Sequence, residues 1–272
     1  MDQFVIGWDA ATISKNVGLA LARKVNRKWL IEECLTPRNL KSERDLDGTI
    51  LQINKWVKKR PKTLIAIDAP LGWPLRFGST IGKHTGGDAL TNCKQCFFFR
   101  LTDSFAKHYY GKTPFSVNAD KIARTTLASL KALQKLECKS AQMIWEPGLQ
   151  QSGIIEVYPA LTLRAHNYSS KKALSLDFKK QFLASQAIID TSKFDLPSLS
   201  EHRIDAILCC IGGIDFLNNT VVKPVNVDCA RKEGWIWVKL KDKEDDAKDF
   251  DHYKCSLCNL DFDSRRSEDV VV

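Results

Sequence analysis

The stretch FVIGWDAATISKNVGLALARKVNRKWLIEECL, residues 4–35, decides the fold. It holds three short apolar runs, at 4–9, 17–22 and 29–35, separated by polar turns, and such runs predict three strands of an antiparallel meander. Downstream, Ser42-x-x-Asp45 precedes Leu46, Ile50, Ile53 and Val57, a spacing that predicts a helix stopped by Pro61. Residues 63–67 are almost continuously apolar, as in a strand buried on both faces. Strand, strand, strand, helix, strand is the order of a meander whose crossover helix returns the chain beside its first strand. That order narrows an α/β fold to few topologies.

Further along, residues 70–119 carry Pro70, Pro74, Pro114, many glycines and Cys93-x-x-Cys96, with little periodicity before Phe97. They read as a long irregular loop insertion over a site. A helix is expected over 120–136 with Ile122, Leu127, Leu130 and Leu133 inward, and a short strand over 154–158. Further helices are expected over 174–189, through Leu174, Phe178 and Phe182, and over 200–217, through Ile204, Ile207, Leu208, Ile211 and Ile214. Residues 233–240 suit a closing strand. The expected organisation is one α/β domain over 1–240, its insertion at about 70–119, then a charged linker and cysteine-containing tail over 241–272.

The 272 residues are 44% hydrophobic and 27% charged, the balance of a soluble globular protein. No apolar run is long enough to span a bilayer, and Met1-Asp2-Gln3 lacks the basic start of a signal peptide, so no membrane partner is expected. Nine scattered cysteines, an odd number, suit reduced thiols and a cytoplasmic location. The net charge is +9; residues 241–272 carry six Lys/Arg against ten Asp/Glu, or −4, which leaves +13 on residues 1–240. A basic body fits an anionic partner, nucleic acid being the commonest, while a solvated lysine-rich face is the plain alternative.

Four carboxylates, Asp9, Asp68, Glu156 and Asp205, each lie where an apolar segment meets polar chain. Each has an ordinary reading: Asp9 caps a turn, Asp68 before Ala69-Pro70 forms one, Glu156 pairs with a lysine, Asp205 caps or pairs with Arg203. All four ordinary readings holding at once is much less expected than any one of them, because charges are rarely placed in apolar company without a use. Brought together, four carboxylates repel unless they share protons or bind cations, and hard oxygen ligands suit Mg²⁺ or Mn²⁺. Two such ions ~3.5–4 Å apart activate water and stabilise a leaving oxygen, so the set predicts phosphodiester hydrolysis.

The segments Ile6-Gly7-Trp8-Asp9-Ala10, Ile65 to Pro74, Arg100-Leu101-Thr102-Asp103, Ile155 to Pro159 and Asp205-Ala206 resemble, in order and spacing, the signature blocks of domain of unknown function family 429. The resemblance covers roughly residues 3–238, with Glu233-Gly234-Trp235-Ile236 similar to the family's closing strand. It implies a ribonuclease H-like mixed sheet, an antiparallel three-strand meander plus parallel strands flanked by helices, and a predicted nuclease. It further implies that Asp9, Asp68, Glu156 and Asp205 are metal ligands, and that Arg100 and Asp103 lie near the pocket mouth. There Arg100 either holds a phosphate or pairs structurally with Asp103.

Cys93-x-x-Cys96 and Cys255-x-x-Cys258 have the ligand types of a structural Zn²⁺ site, each pair alternatively joining His84 or His252. Four unrelated thiols are the competing reading. Arg76, Lys83, His84, Lys94, Arg100, Lys107 and His108 interleave with Phe97–Phe99, Tyr109 and Tyr110 in a pattern suited to phosphate contacts and base stacking. His202, beside Arg203, suits a proton carrier or an aid to product release near Asp205, an ordinary helix-surface histidine being the plain alternative. The expectation is a Mg²⁺- or Mn²⁺-dependent nuclease acting on DNA or RNA. A non-catalytic nucleic-acid-binding module of the same fold is the alternative. More remote is an actin-like phosphotransferase, whose phosphate-binding turn Asp9-Ala-Ala-Thr12 would imitate without the glycine.

Overall fold

A computed structural model of the chain describes residues 3–37, 46–60, 62–90, 97–137, 142–148, 152–168, 175–224 and 226–241. The meander forms as expected, from β1 (Phe4–Asp9), β2 (Gly18–Val25) and β3 (Lys28–Leu35), each antiparallel to the next. After helix α1 (Asp47–Lys58), strand β4 (Thr63–Asp68) returns parallel to β1. With edge strands β5 (Gln142–Met143) and β7 (Ile189–Asp190), and with β6 (Gly153–Glu156) parallel to β4, the sheet has seven strands in the order β5-β6-β4-β1-β2-β3-β7. This mixed sheet flanked by helices is the ribonuclease H-like arrangement.

Strict alternation builds two cores. Ile6, Trp8, Leu19, Leu21, Ile65 and Ile67 face one side, against Ile50, Ile53 and Trp56 of α1. Val5, Ala20, Ala22, Leu64, Ala66 and Ile155 face the other, against α7 (Glu201–Leu217). Period-two side chains buried on both faces are why these strands read as unbroken apolar runs. α7 is in turn covered by α5 (Pro159–Ala165) and α6 (Leu176–Ser185), which explains why it is apolar on nearly every side.

Several expectations are corrected. The insertion is not irregular throughout: it contains α2 (Leu75–Ile81) and α3 (Leu101–Tyr110). No residue of α2 is buried, so no apolar period marks it. In α4 (Asp120–Gln134) the buried positions are Thr126, Ser129 and Ala132, while Leu127 is 50% exposed: small residues let the helix lie close, and the leucines flank that face. The helix expected over 174–189 is shorter, its buried residues being Lys179, Phe182 and Leu183. The chain at 233–240 makes only isolated bridges, Glu156 to Ile236 and Val221 to Lys239, after a helix α8 (Val227–Glu233) that ends at Gly234 with φ 85°. Among the described residues no helix is long and apolar enough to cross a membrane.

Candidate carboxylate site

Asp9 and Asp68 are direct partners in the parallel β1–β4 register, at the C-terminal ends of both strands. Paired residues of neighbouring strands project to one face, here the face covered by α7. The distance to that helix is set by glycine. A Cβ at Gly7 would lie 1.9 Å from the Ala206 carbonyl oxygen, and one at Gly18, the β2 partner of Asp9, 1.8 Å from that of His202. The close approach carries His202 and Asp205, one turn apart at the start of α7, to the ends of β1 and β4. His202 Nδ1 is 2.8 Å from Asp9 Oδ2. Lys179, in the first turn of α6, stands 2.8 Å from Asp205 and 2.9 Å from Glu201, with its side chain only 7% exposed. Asp205 therefore pairs with Lys179; Arg203, its expected partner in the ordinary reading, bonds Ser200 instead.

Burial is the main cause that pushes the Asp205 carboxyl up to about 6, against the pull of Lys179. Asp68 is driven well above the usual carboxylate range by loss of water, then by the charges of Asp9, Asp205 and Glu156. Asp9 is raised by burial while the bond from His202 opposes the rise, and that bond raises His202 in turn. Cys209, a turn after Asp205, is kept a thiol by burial and by the same carboxylates. Groups with raised folded values hold protons in the native state that the unfolded chain has released. Chelator-treated protein should therefore lose stability as pH rises, through about 6 for Asp205 and through the raised value of His202 above 6.5. Melting temperatures at pH 5.5 and 8 check the sign, and Mn²⁺ should reverse it, since metal binding favours the deprotonated ligands.

Glu156 does not join this cluster. It is the register partner of Ile67, not of Asp68, so it projects to the opposite face. There Arg100 grips it, Nη2 to Oε1 at 2.7 Å and Nη1 to Oε2 at 2.9 Å, while the Leu71 amide donates to Oε2 at 3.0 Å. Arg100 also bonds Asp103 (Nη2–Oδ1, 3.0 Å) and the Glu233 carbonyl (3.2 Å). Arg100 and Asp103 are 1% and 0% exposed, so they lie inside the protein and not at a pocket mouth. The structural pairing of the two is what the fold shows. Glu233 completes the network, accepting from the Leu75 and Leu101 amides at 2.7 Å each.

Arg76 is exposed on α2, directly after Leu75, and no contact of its side chain with the carboxylates is seen among the described residues. Phe97 is buried while Phe98 is 50% exposed, and Lys94 lies outside the described residues. Cys93, Cys96, Cys255 and Cys258 also lie outside them, as does His252. Cys34, Cys209, Cys210 and Cys229 are buried, and none of them forms a disulfide among the described residues. Sequence reasoning missed Lys179 and Glu233. For Lys179 a signal existed: it falls on the stripe Leu176, Lys179, Phe182, Leu183, where a lysine is out of place unless paired.

Among the described residues no three His, Cys, Asp or Glu side chains are gathered in ligand geometry. The donor chemistry still suits a divalent cation at one point. No described residue donates a hydrogen bond to the Asp68 carboxylate, which lies in the field of Asp9 and Asp205. A four-carboxylate centre does not fit, because Glu156 is neutralised by Arg100 on the other face.

Fold and site define a class: a ribonuclease H-like sheet with aspartates at the ends of its first and fourth strands and in the opening turn of a late helix. Residues 41–228 match the family described as Protein of unknown function (DUF429), and the chain belongs to that family. The matched region includes Asp68, Arg100, Asp103, Glu156 and Asp205 and stops short of Asp9. A search of curated proteins found no match.

Proposed function

We propose that the protein is a metal-dependent nuclease whose working carboxylates are Asp9, Asp68 and Asp205. The observation that carries this reading is the facing pair Asp9–Asp68, its second member without a hydrogen bond from any described residue and in the field of the neighbouring carboxylates. An arrangement so costly in a folded protein is expected where a cation completes it. Asp9 and Asp68 would hold Mg²⁺ or Mn²⁺, with Asp205 beside them, and the ion would supply charge stabilisation and water activation at a phosphodiester. His202, bonded to Asp9 and 38% exposed at the side chain, is the group placed to take or return a proton at the site's edge. The +13 balance of residues 1–240 supports a polyanionic substrate, DNA or RNA, by raising its local concentration. Cys34, Cys209 and Cys210, buried and in no disulfide among the described residues, support a cytoplasmic location.

The test is Mn²⁺- and Mg²⁺-dependent degradation of a panel of DNA, RNA and hybrid substrates. Asp68→Asn should reduce cleavage at least about 100-fold, beyond the effect of losing a group that only orients a ligand. Its melting temperature should stay level or rise, since the carboxylate it removes is disfavoured first by burial and then by the neighbouring charges of Asp9 and Asp205. Glu156→Gln should keep metal binding. Salt-sensitive nucleic-acid binding without metal-dependent turnover would put the binding-module reading first.

A further inference from the structure

We infer that the site takes a single divalent cation, at Asp9 and Asp68, because its second cation is part of the chain: the ammonium of Lys179. The inference rests on the carboxylate-centre reading above and concerns how many ions that centre admits. Lys179 Nζ lies between Asp205 and Glu201, at 2.8 and 2.9 Å, and its side chain is 7% exposed. It is held there by packing, since α6 docks on α7 through Phe182 and Leu183, both buried to 1% or less exposure. His202, the partner of Asp9, is 38% exposed and sits at the rim, so the enclosed cation of the cluster is the lysine. A divalent ion at Asp205 would stand against a fixed positive charge a few ångströms away, with little water to screen it. Glu156 offers no further site, because Arg100 holds it on the opposite face of the sheet, so Asp205 is where a second ion would bind once the lysine is gone. Among the described residues, Asp9 and Asp68 are then the carboxylates of the cluster without a lysine or arginine partner.

Calorimetric titration of the full chain with Mn²⁺ tests this; Mn²⁺ is chosen because a hard ion prefers these oxygens to the cysteine pairs. The expected result is one ion per native chain, lost in Asp68→Asn. Lys179→Met should raise the count to two, and Lys179→Arg, which keeps the charge, should hold it at one. Circular dichroism confirms folding; should Lys179→Met not fold, Lys179→Gln, which keeps a hydrogen-bond donor toward Asp205, is titrated in its place. Two Asp68-dependent ions in the native chain overturn the inference, and so does a folded, charge-free variant that still takes one. Absence of any Asp68-dependent Mn²⁺ binding overturns the carboxylate-centre reading beneath it, whatever Lys179 does.

Discussion

Arg100→Met should lower the unfolding free energy by about 3–5 kcal/mol, the cost of leaving a buried ion network without its cation. Arg100 is 1% exposed and serves Asp103 and Glu156 together, which are 0% and 2% exposed. Remove it and two carboxylates remain inside with no counter-charge among the described residues, and the Glu233 carbonyl also loses this donor. In a domain of this size that corresponds to a fall in melting temperature of roughly 2–4 °C per kcal/mol. Glu156→Gln should cost less, because the amide oxygen still accepts from Arg100 and the cation keeps Asp103. Urea denaturation of both variants checks the order. Arg100→Met as stable as Glu156→Gln would show that Arg100 does not hold this end of the fold. The network joins the start of α3, the end of β6, the loop after Asp68 and the end of α8. Its loss should therefore also loosen the chain around the carboxylates, and activity should fall with it.

The meander and the parallel return were legible because each strand is local: apolar runs, polar turns and one amphipathic helix are visible within a few residues. Register was not. The residues around Glu156 announce a strand beside β4, yet nothing in them says that Glu156 opposes Ile67 and not Asp68. One position of slip separates membership of the carboxylate cluster from burial on the other face. Partnership across long separations was equally hidden: Arg100 and Glu156 are 56 residues apart, and Asp9 and His202 are 193 apart. Asp205 carried a misleading local cue in Arg203, whereas its true partner comes from a different helix. α3 was hidden differently. Its buried stripe Leu101, Phe105, Ala106, Tyr110 is present in the sequence but follows directly on three phenylalanines, which blur its start.

Gly18→Ala should be as damaging as loss of the buried arginine, although it adds a single methyl group. The new Cβ would lie 1.8 Å from the His202 carbonyl oxygen and 2.4 Å from its carbonyl carbon. These are backbone atoms of α7, so no rotamer change relieves the clash; helix and sheet must part. Overpacking of this kind costs about 1–3 kcal/mol and more where backbone has to move. The site would feel it directly, since Gly18 is the register partner of Asp9 and His202 is its neighbour on the helix. A displacement near 1 Å at such a place is worth about 100-fold in rate. Gly78→Ala supplies the contrast: nothing lies within 4 Å of its Cβ position, in the exposed helix α2. There alanine should stabilise by about 0.4–1 kcal/mol, through the unfolded chain and helix preference. Opposite signs for the same chemical change, read by thermal unfolding and by metal-dependent cleavage, would locate the constraint in the contact between α7 and the sheet. Equal effects would remove that contact as the device that brings His202 and Asp205 to Asp9.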